Sequence, residues 1–164
     1  MIKPLFQRIL VAVNGSDRSI HAAMYAILMA MQYKCELKAV YVVDTATIRR
    51  LTMSKLFIAE ESSDYAASLE SDGKRYLEYV ANLAKKKNVK IETELRKGVI
   101  FSEVIKAADE FKADTILVGG NEHDTAFSGK RDAISATNGD IAANARCNVL
   151  VIHEPYIEKL FKIA

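Results

Sequence analysis

Short apolar runs alternate along the chain with longer segments whose apolar residues recur every three or four positions. Arg8-Ile9-Leu10-Val11-Ala12-Val13 is almost continuously apolar, the pattern of a strand buried on both faces. Asn14-Gly15-Ser16-Asp17 follows, a turn whose residues can also cap a helix. From there to about residue 33, Ile20, Ala23, Met24, Ile27, Leu28 and Met31 fall at helical spacing. The segment 35–43 predicts a second strand, and the polar stretch 44–63 reads as irregular. Leu69, Tyr76, Leu77, Val80, Leu83 and Ala84 predict a long helix over 65–87, in which Gly73 marks either a packing contact or a break. Over 89–96, Val89, Ile91, Thr93 and Leu95 alternate with charged residues, which predicts an edge strand with one wet face, ended by Gly98. A helix over 101–111, a strand over 114–119, a polar connection over 120–135, a short helix over 136–145 and a strand over 147–153 complete the series.

This alternation implies right-handed crossovers and a mainly parallel, doubly wound α/β sheet with helices on both faces. Such sheets bind ligands beyond the carboxyl ends of their strands, so the loops after the first, second and fourth strands are the candidate site. With no internal repeat, the chain reads as one domain over 1–164, with its core in 6–153. In the tail, 154–164, Tyr156, Ile157, Leu160, Phe161 and Ile163 are apolar enough to pack on this domain or on a partner.

Composition narrows function more than fold. The 23 Lys+Arg against 21 Asp+Glu leave a net charge of +2, too even for a nucleic-acid binder by bulk electrostatics. No apolar run approaches the ~20 residues of a membrane span, and the N-terminus lacks a cleavage pattern, so no membrane partner and a cytoplasmic location are expected. Cys35 and Cys147 are far apart and outside any CxxC pair, as expected of reduced thiols. Lys85-Lys86-Lys87 sits where cations complement a helix C-terminus. The 7 glycines leave little material for a glycine-rich phosphate loop, and neither a Walker A pattern nor a GxGxxG is present.

The loops offer three candidates. Asn14 can hydrogen-bond a base or a ribose hydroxyl, and a helix N-terminus at Ser16 suits an anion; the same residues also suit a plain turn with Ser16 as the cap. Val118, Gly119, Gly120 and Asn121 leave the fourth strand, where the glycines allow either close approach to a ligand or a sharp exit. Ser135 and Thr137 lead into the last helix, where hydroxyls can face a phosphate or cap the helix. His123-Asp124 is a poor metal site without further ligands, and with Ser128 it makes no hydrolytic triad, since no G-x-S-x-G elbow exists. No catalytic residue is assigned.

Four stretches taken in order carry a resemblance: RILVAVNGSDRSIHAA from residue 8, LKAVYVVD at 37–44, ADTILVGG at 113–120 and IAANARCNVLVIHEP at 141–155. Together they resemble the universal stress proteins, over nearly the whole chain. The resemblance implies a sheet in the order 3-2-1-4-5 and a homodimer joined through the strand at 147–153, with protein partners open. It also implies an adenine-nucleotide site, with Ala12, Asn14 and Val42 beside the base and ribose and the phosphates on the segment after the fourth strand. Here the chain departs from the family. Asn14 stands where Asp is usual, the second phosphate glycine is absent after Gly119, and Ser135-Ala136 occupies the place of Gly-Ser. Two readings follow. One is a non-enzymatic regulatory dimer with a degenerate nucleotide cleft and no firm cofactor; the alternative is a binder of ATP or AMP with a sensing or slow hydrolytic role.

Overall fold

The computed structural model describes residues 2–54, 59–120 and 133–164. β1 (Arg8–Val13) leads into α1 (Asp17–Tyr33), followed by β2 (Glu36–Asp44), α2 (Thr45–Met53), α3 (Ala59–Lys86) and β3 (Glu92–Gly98). Then come α4 (Ile100–Phe111), β4 (Thr115–Gly119), α5 (Ala133–Asn144), β5 (Asn148–Ile152) and α6 (Ile157–Ile163). The strands form one parallel sheet in the order β3-β2-β1-β4-β5, the expected fold and order.

Successive strand residues leave opposite faces, so the central strands sort their side chains into two cores by parity. Ile9, Val11 and Val13 of β1, with Leu37, Ala39, Tyr41 and Val43 of β2, pack beneath α1 and α3. Leu10, Val40, Val42, Ile116 and Val118 pack on the other side against Val104, Ala107 and Ala108 of α4 and Ile141 of α5. This two-sided burial is why both strands read as continuous apolar runs. At the amino end of the sheet, Asp114 Oδ2 accepts from the amides of Gln7 (2.7 Å) and Arg8 (2.8 Å), which fixes β4 against the entry to β1.

Four segments differ from the sequence expectation or settle it. The stretch 44–63 is not irregular where it is described. Asp44 accepts from the Thr47 amide (3.0 Å) and hydroxyl (2.6 Å), a cap that starts α2 directly from the end of β2. Ile48 is buried, and the Thr52 hydroxyl hydrogen-bonds Ser62 of α3. Helix α3 runs through Gly73 without a break. A Cβ there would stand 2.6 Å from the Tyr41 ring and 2.8 Å from Leu95, so glycine is required by packing. The tail forms α6, which packs on its own chain: Ile157 and Phe161 are buried, and Lys87 Nζ donates to the Ala164 carbonyl at 2.6 Å. Helix α5 is already helical at Ala133, earlier than the expected start at 136.

β3 begins at Glu92 rather than 89, and the face expected to be wet is partly covered by α4. Arg96, its side chain only 15% exposed, bonds Glu94 (2.8 Å) and, on α4, Glu103 (3.1 Å) and Glu110 (2.9 Å). Lys38 of β2 adds contacts to Glu92 (3.1 Å) and Glu94 (3.3 Å). Alternation with charge thus marks an ion-paired face here, because long charged side chains can bury their stems and pair their heads. Burial alone would raise the Glu94 carboxyl; the Arg96 hydrogen bond and then Lys38 outweigh it and hold the group below its ordinary 4.5. The Arg96 guanidinium is correspondingly raised, first by its Glu94 hydrogen bond.

A depressed folded-state value means that the Glu94 contribution is complete above pH 4.5 and is lost as pH falls through the depressed value. Arg96→Ala should therefore cost about 2 kcal/mol at neutral pH, since it leaves the carboxylates facing one another. Urea unfolding should show the gap to wild type narrowing between pH 5 and pH 3, an acid range set by ordinary carboxylate titration at about 4. A gap of constant size would assign the effect to the packing of the arginine stem instead.

Candidate functional site

The carboxyl ends of β1, β2 and β4 meet α4 and α5 in a small cleft on the second core's side of the sheet. Ala12, Val13 and Asn14 form one wall, Val40 and Val42 a second, and Val118 and Gly119 a third. Ile100 and Val104 of α4 and Thr137, Asn138 and Ile141 of α5 close it. The free volume within this described part is about 40 Å³. Every described lining residue is uncharged.

Six of the predicted site residues come together here: Ala12, Asn14, Val42, Val118, Gly119 and Thr137. Asn121 and the side chain of Ser135 lie outside the described residues, as do His123, Asp124 and Ser128. Ser16 and Gly120 do not line the cleft. The Ser16 hydroxyl accepts from the Ser19 amide at 3.1 Å as the cap of α1, and donates to Asn14 Oδ1 at 2.6 Å. Gly120 continues the β4–β5 pairing, its amide donating to Ile152 O at 2.9 Å. A Cβ on Gly120 would meet the His153 ring at 2.5 Å.

The polar groups nearest the cleft serve the fold first. Asn14 Oδ1 also accepts from the Ser16 amide at 3.0 Å, so its carbonyl is used by the turn and its amide N–H is what remains to offer a ligand. The Asn14 backbone N–H donates to the Ser19 hydroxyl at 3.2 Å, and that hydroxyl donates in turn to Ser16 O. Gly15 has φ +83°, and a Cβ there would also strike Tyr76 at 2.6 Å. Across the cleft, Asn138 Nδ2 donates to Gly119 O at 2.8 Å and ties α5 to the end of β4. Gly119 is glycine for a packing reason: a Cβ would stand 2.5 Å from the carbonyl carbon of Arg18 and 2.8 Å from the Ser19 nitrogen.

Sequence reasoning overlooked Val40, Ile100 and Ile141 as lining residues. Val40 is even-numbered like Val42, so strand parity alone would have placed it on the same face. Ile100 and Ile141 belong to helices whose approach depends on crossovers, which spacing does not reveal. Among the described residues no cluster of His, Cys, Asp or Glu could hold a metal ion, and no helix is long and apolar enough to cross a membrane.

A doubly wound 3-2-1-4-5 sheet with a cleft at the β1/β4 switch point defines an α/β protein whose cleft lies where such sheets bind ligands. Residues 5–153 match the universal stress protein family, and the chain belongs to that family. A universal stress protein of Methanocaldococcus jannaschii is 33% identical over 153 residues, which cover 92% of this chain and 84% of that one. Three solved structures share the fold. An Arabidopsis thaliana universal stress protein family member with AMP bound is 17% identical with a TM-score of 0.62, covering 93% of this chain and 94% of that one. An Archaeoglobus fulgidus universal stress protein in complex with dAMP is 16% identical with a TM-score of 0.61, covering 92% and 100%. A universal stress protein in complex with cAMP is 20% identical with a TM-score of 0.63, covering 92% and 99%.

Gly119 and Gly139 should respond to alanine in opposite directions. Gly119→Ala should destabilise by about 2–3 kcal/mol, since the clash is with helix backbone. Gly139, with nothing within 4 Å of a Cβ, lies inside α5, and Gly139→Ala should stabilise by about 0.5–1 kcal/mol. Denaturant unfolding of the two variants checks both signs.

Proposed function

We propose that this chain is a non-enzymatic, regulatory stress-response protein that works as a homodimer and whose nucleotide cleft is degenerate. The uncharged lining of the described cleft carries this reading. General acid–base and nucleophilic catalysis draw on titratable side chains within reach of the reacting atoms. This cleft instead offers apolar walls, two amides and the Thr137 hydroxyl. That chemistry suits an uncharged base, but about 40 Å³ is far below the ~300 Å³ at which ligand pockets begin. The missing phosphate glycines point the same way. Dimerisation is supported by β5, which pairs with β4 along one edge and offers a second edge as a template for another strand.

The AMP, dAMP and cAMP bound by the three solved relatives favour a second reading, an adenine-nucleotide sensor. Denaturing the purified protein and chromatographing the supernatant decides between them. On the first reading no stoichiometric nucleotide is released, and calorimetric titration with ATP and AMP shows no binding near physiological concentration. Co-purified AMP or ATP would overturn it; Asn14→Ala should then weaken AMP binding about tenfold, the worth of one hydrogen bond in a desolvated site. For the dimer, Val151→Glu should shift light scattering from dimer to monomer, and a monomeric wild type would exclude the β5 seam.

A further inference from the structure

We propose that the groove between α3 and α6 binds a free single-chain carboxylate, its charged head between Lys86 and Lys162 and its chain running over Met24 toward Ile20.

The groove exists because α6 packs mainly on α1 and leaves a channel beside α3. Ile157 and Phe161 anchor α6 in the core. Two adjoining hollows, of about 380 and about 470 Å³, share Met24, Tyr79 and Glu158 and so form one channel. Each falls within the roughly 300–1,000 Å³ usual for a ligand site, which the cleft at the strand ends does not approach. Along α3 the channel extends from Arg75 to Lys86, about 16 Å at 1.5 Å per residue. That length suits one extended chain.

The two ends of the channel differ in charge. At the smaller hollow, Lys86 of α3 and Lys162 of α6 stand on opposite walls, and neither has an ion-pair partner among the described residues. A lysine in the last turn of a helix ordinarily answers the helix dipole. For α6 that role is filled by Lys87, whose Nζ donates to the Ala164 carbonyl at 2.6 Å and lies 4.9 Å from the Phe161 ring. At the larger hollow the cations are already used. Arg75 pairs with Asp72, His21 pairs with Glu158 at 2.9 Å, and Asp17 adds a carboxylate. An anion is therefore drawn to the lysine end and repelled from the other.

Between the ends the floor is apolar. Met24, Leu83 and Phe161 are buried beneath the lysine end, and Ile20 and Tyr76 continue the surface toward Gly15. Lysine stems can lie along such a floor while their heads reach a carboxylate. A carboxylate on an apolar chain matches the cationic end and the apolar floor together. An extended peptide would instead lay polar backbone groups on a floor that leaves them without partners.

Calorimetric titration of the full chain with dodecanoate, kept below its micelle concentration, tests this. Saturable one-to-one binding is expected. Dodecyltrimethylammonium has the same chain and a cationic head, and should bind about tenfold more weakly or worse, the worth of one charge-assisted contact. Lys86→Glu/Lys162→Glu should weaken dodecanoate binding by at least the same factor. Lys85→Glu/Lys159→Glu changes the charge equally on the same two helices but outside the channel, and should leave binding unchanged. Tyr79→Asp puts a carboxylate where the two hollows join, and should weaken binding too. Each of these residues is exposed, so the variants should keep the wild-type circular dichroism spectrum. Absence of saturable dodecanoate binding, equal binding of the two amphiphiles, or equal losses from the two lysine pairs would each overturn the proposal. Capture by phosphatidylglycerol vesicles without dodecanoate binding would overturn it in favour of a membrane surface.

Discussion

Helix α1 comes down on the sheet at Gly119, where its backbone at Arg18 leaves no room for a Cβ. Much of the carboxyl rim follows from that one approach. It seats the first turn of α1 directly over the ends of β1 and β4, so the chain must reverse within Asn14-Gly15-Ser16. Gly15 takes a positive φ to do so, and the Asn14 carbonyl and Ser16 hydroxyl close the turn. Tyr76 of α3 then rests on Gly15 and stacks on Tyr41, while Gly73, one turn earlier, lets α3 sit close against Tyr41 and Leu95. Burial, with Asp72 adding to it, pushes the Tyr41 phenol up, so this contact stays neutral. Three close approaches at glycine thus fix α1 and α3 on one face.

The opposite face is built with less constraint and holds the cleft. Here α4 and α5 pack by Ile100, Val104 and Ile141, large side chains that fill the space beyond the strand ends. The polar groups at the rim are drawn inward by the fold: Asn138 to the Gly119 carbonyl, Asn14 to its own turn. A site whose hydrogen bonds are already made has less to gain from a ligand, because each new contact must replace an old one. The position where the family usually has Asp illustrates this. An aspartate could serve the turn with one oxygen and a ligand with the other, whereas Asn14 has a single acceptor and uses it locally.

The legible parts of the chain were those dictated by local periodicity. β1 and α1 were readable because two-sided burial and helical spacing leave strong patterns, and the strand order because the four family stretches arrive in sequence order. What was not readable depended on partners distant in sequence. The segment after Asp44 looked irregular because its polar residues hid a cap, with Asp44 and Thr47 three apart and Ile48 as the lone anchor. The charged face of β3 looked wet because Arg96 finds Glu103 and Glu110 only after a crossover. Gly119 and Gly120 read equally as ligand glycines or as a sharp exit; their missing Cβ atoms make room for Arg18 and His153, and Gly119 also lines the cleft. In the cleft, strand parity placed the β1 and β2 walls, while the α4 and α5 walls needed the packed structure.

The arrangement also determines how the two proposed activities could influence each other. The cleft and the β5 edge share only the elements that touch both, and these are β4 and α5. β4 pairs with β5 along its length and ends in Val118 and Gly119 at the cleft. α5 contributes Thr137, Asn138 and Ile141 to the cleft and packs against β5. The Asn138–Gly119 hydrogen bond joins the two elements at that point. A ligand that entered the cleft would have to displace Ile141 or break that bond, and either change moves α5 against the strand at the seam. By linkage, a partner that holds β5 and α5 in place must resist the ligand by the same free energy. On the proposed reading, the small cleft and a β5 seam would thus draw on one corner of the molecule, where β4 and α5 meet.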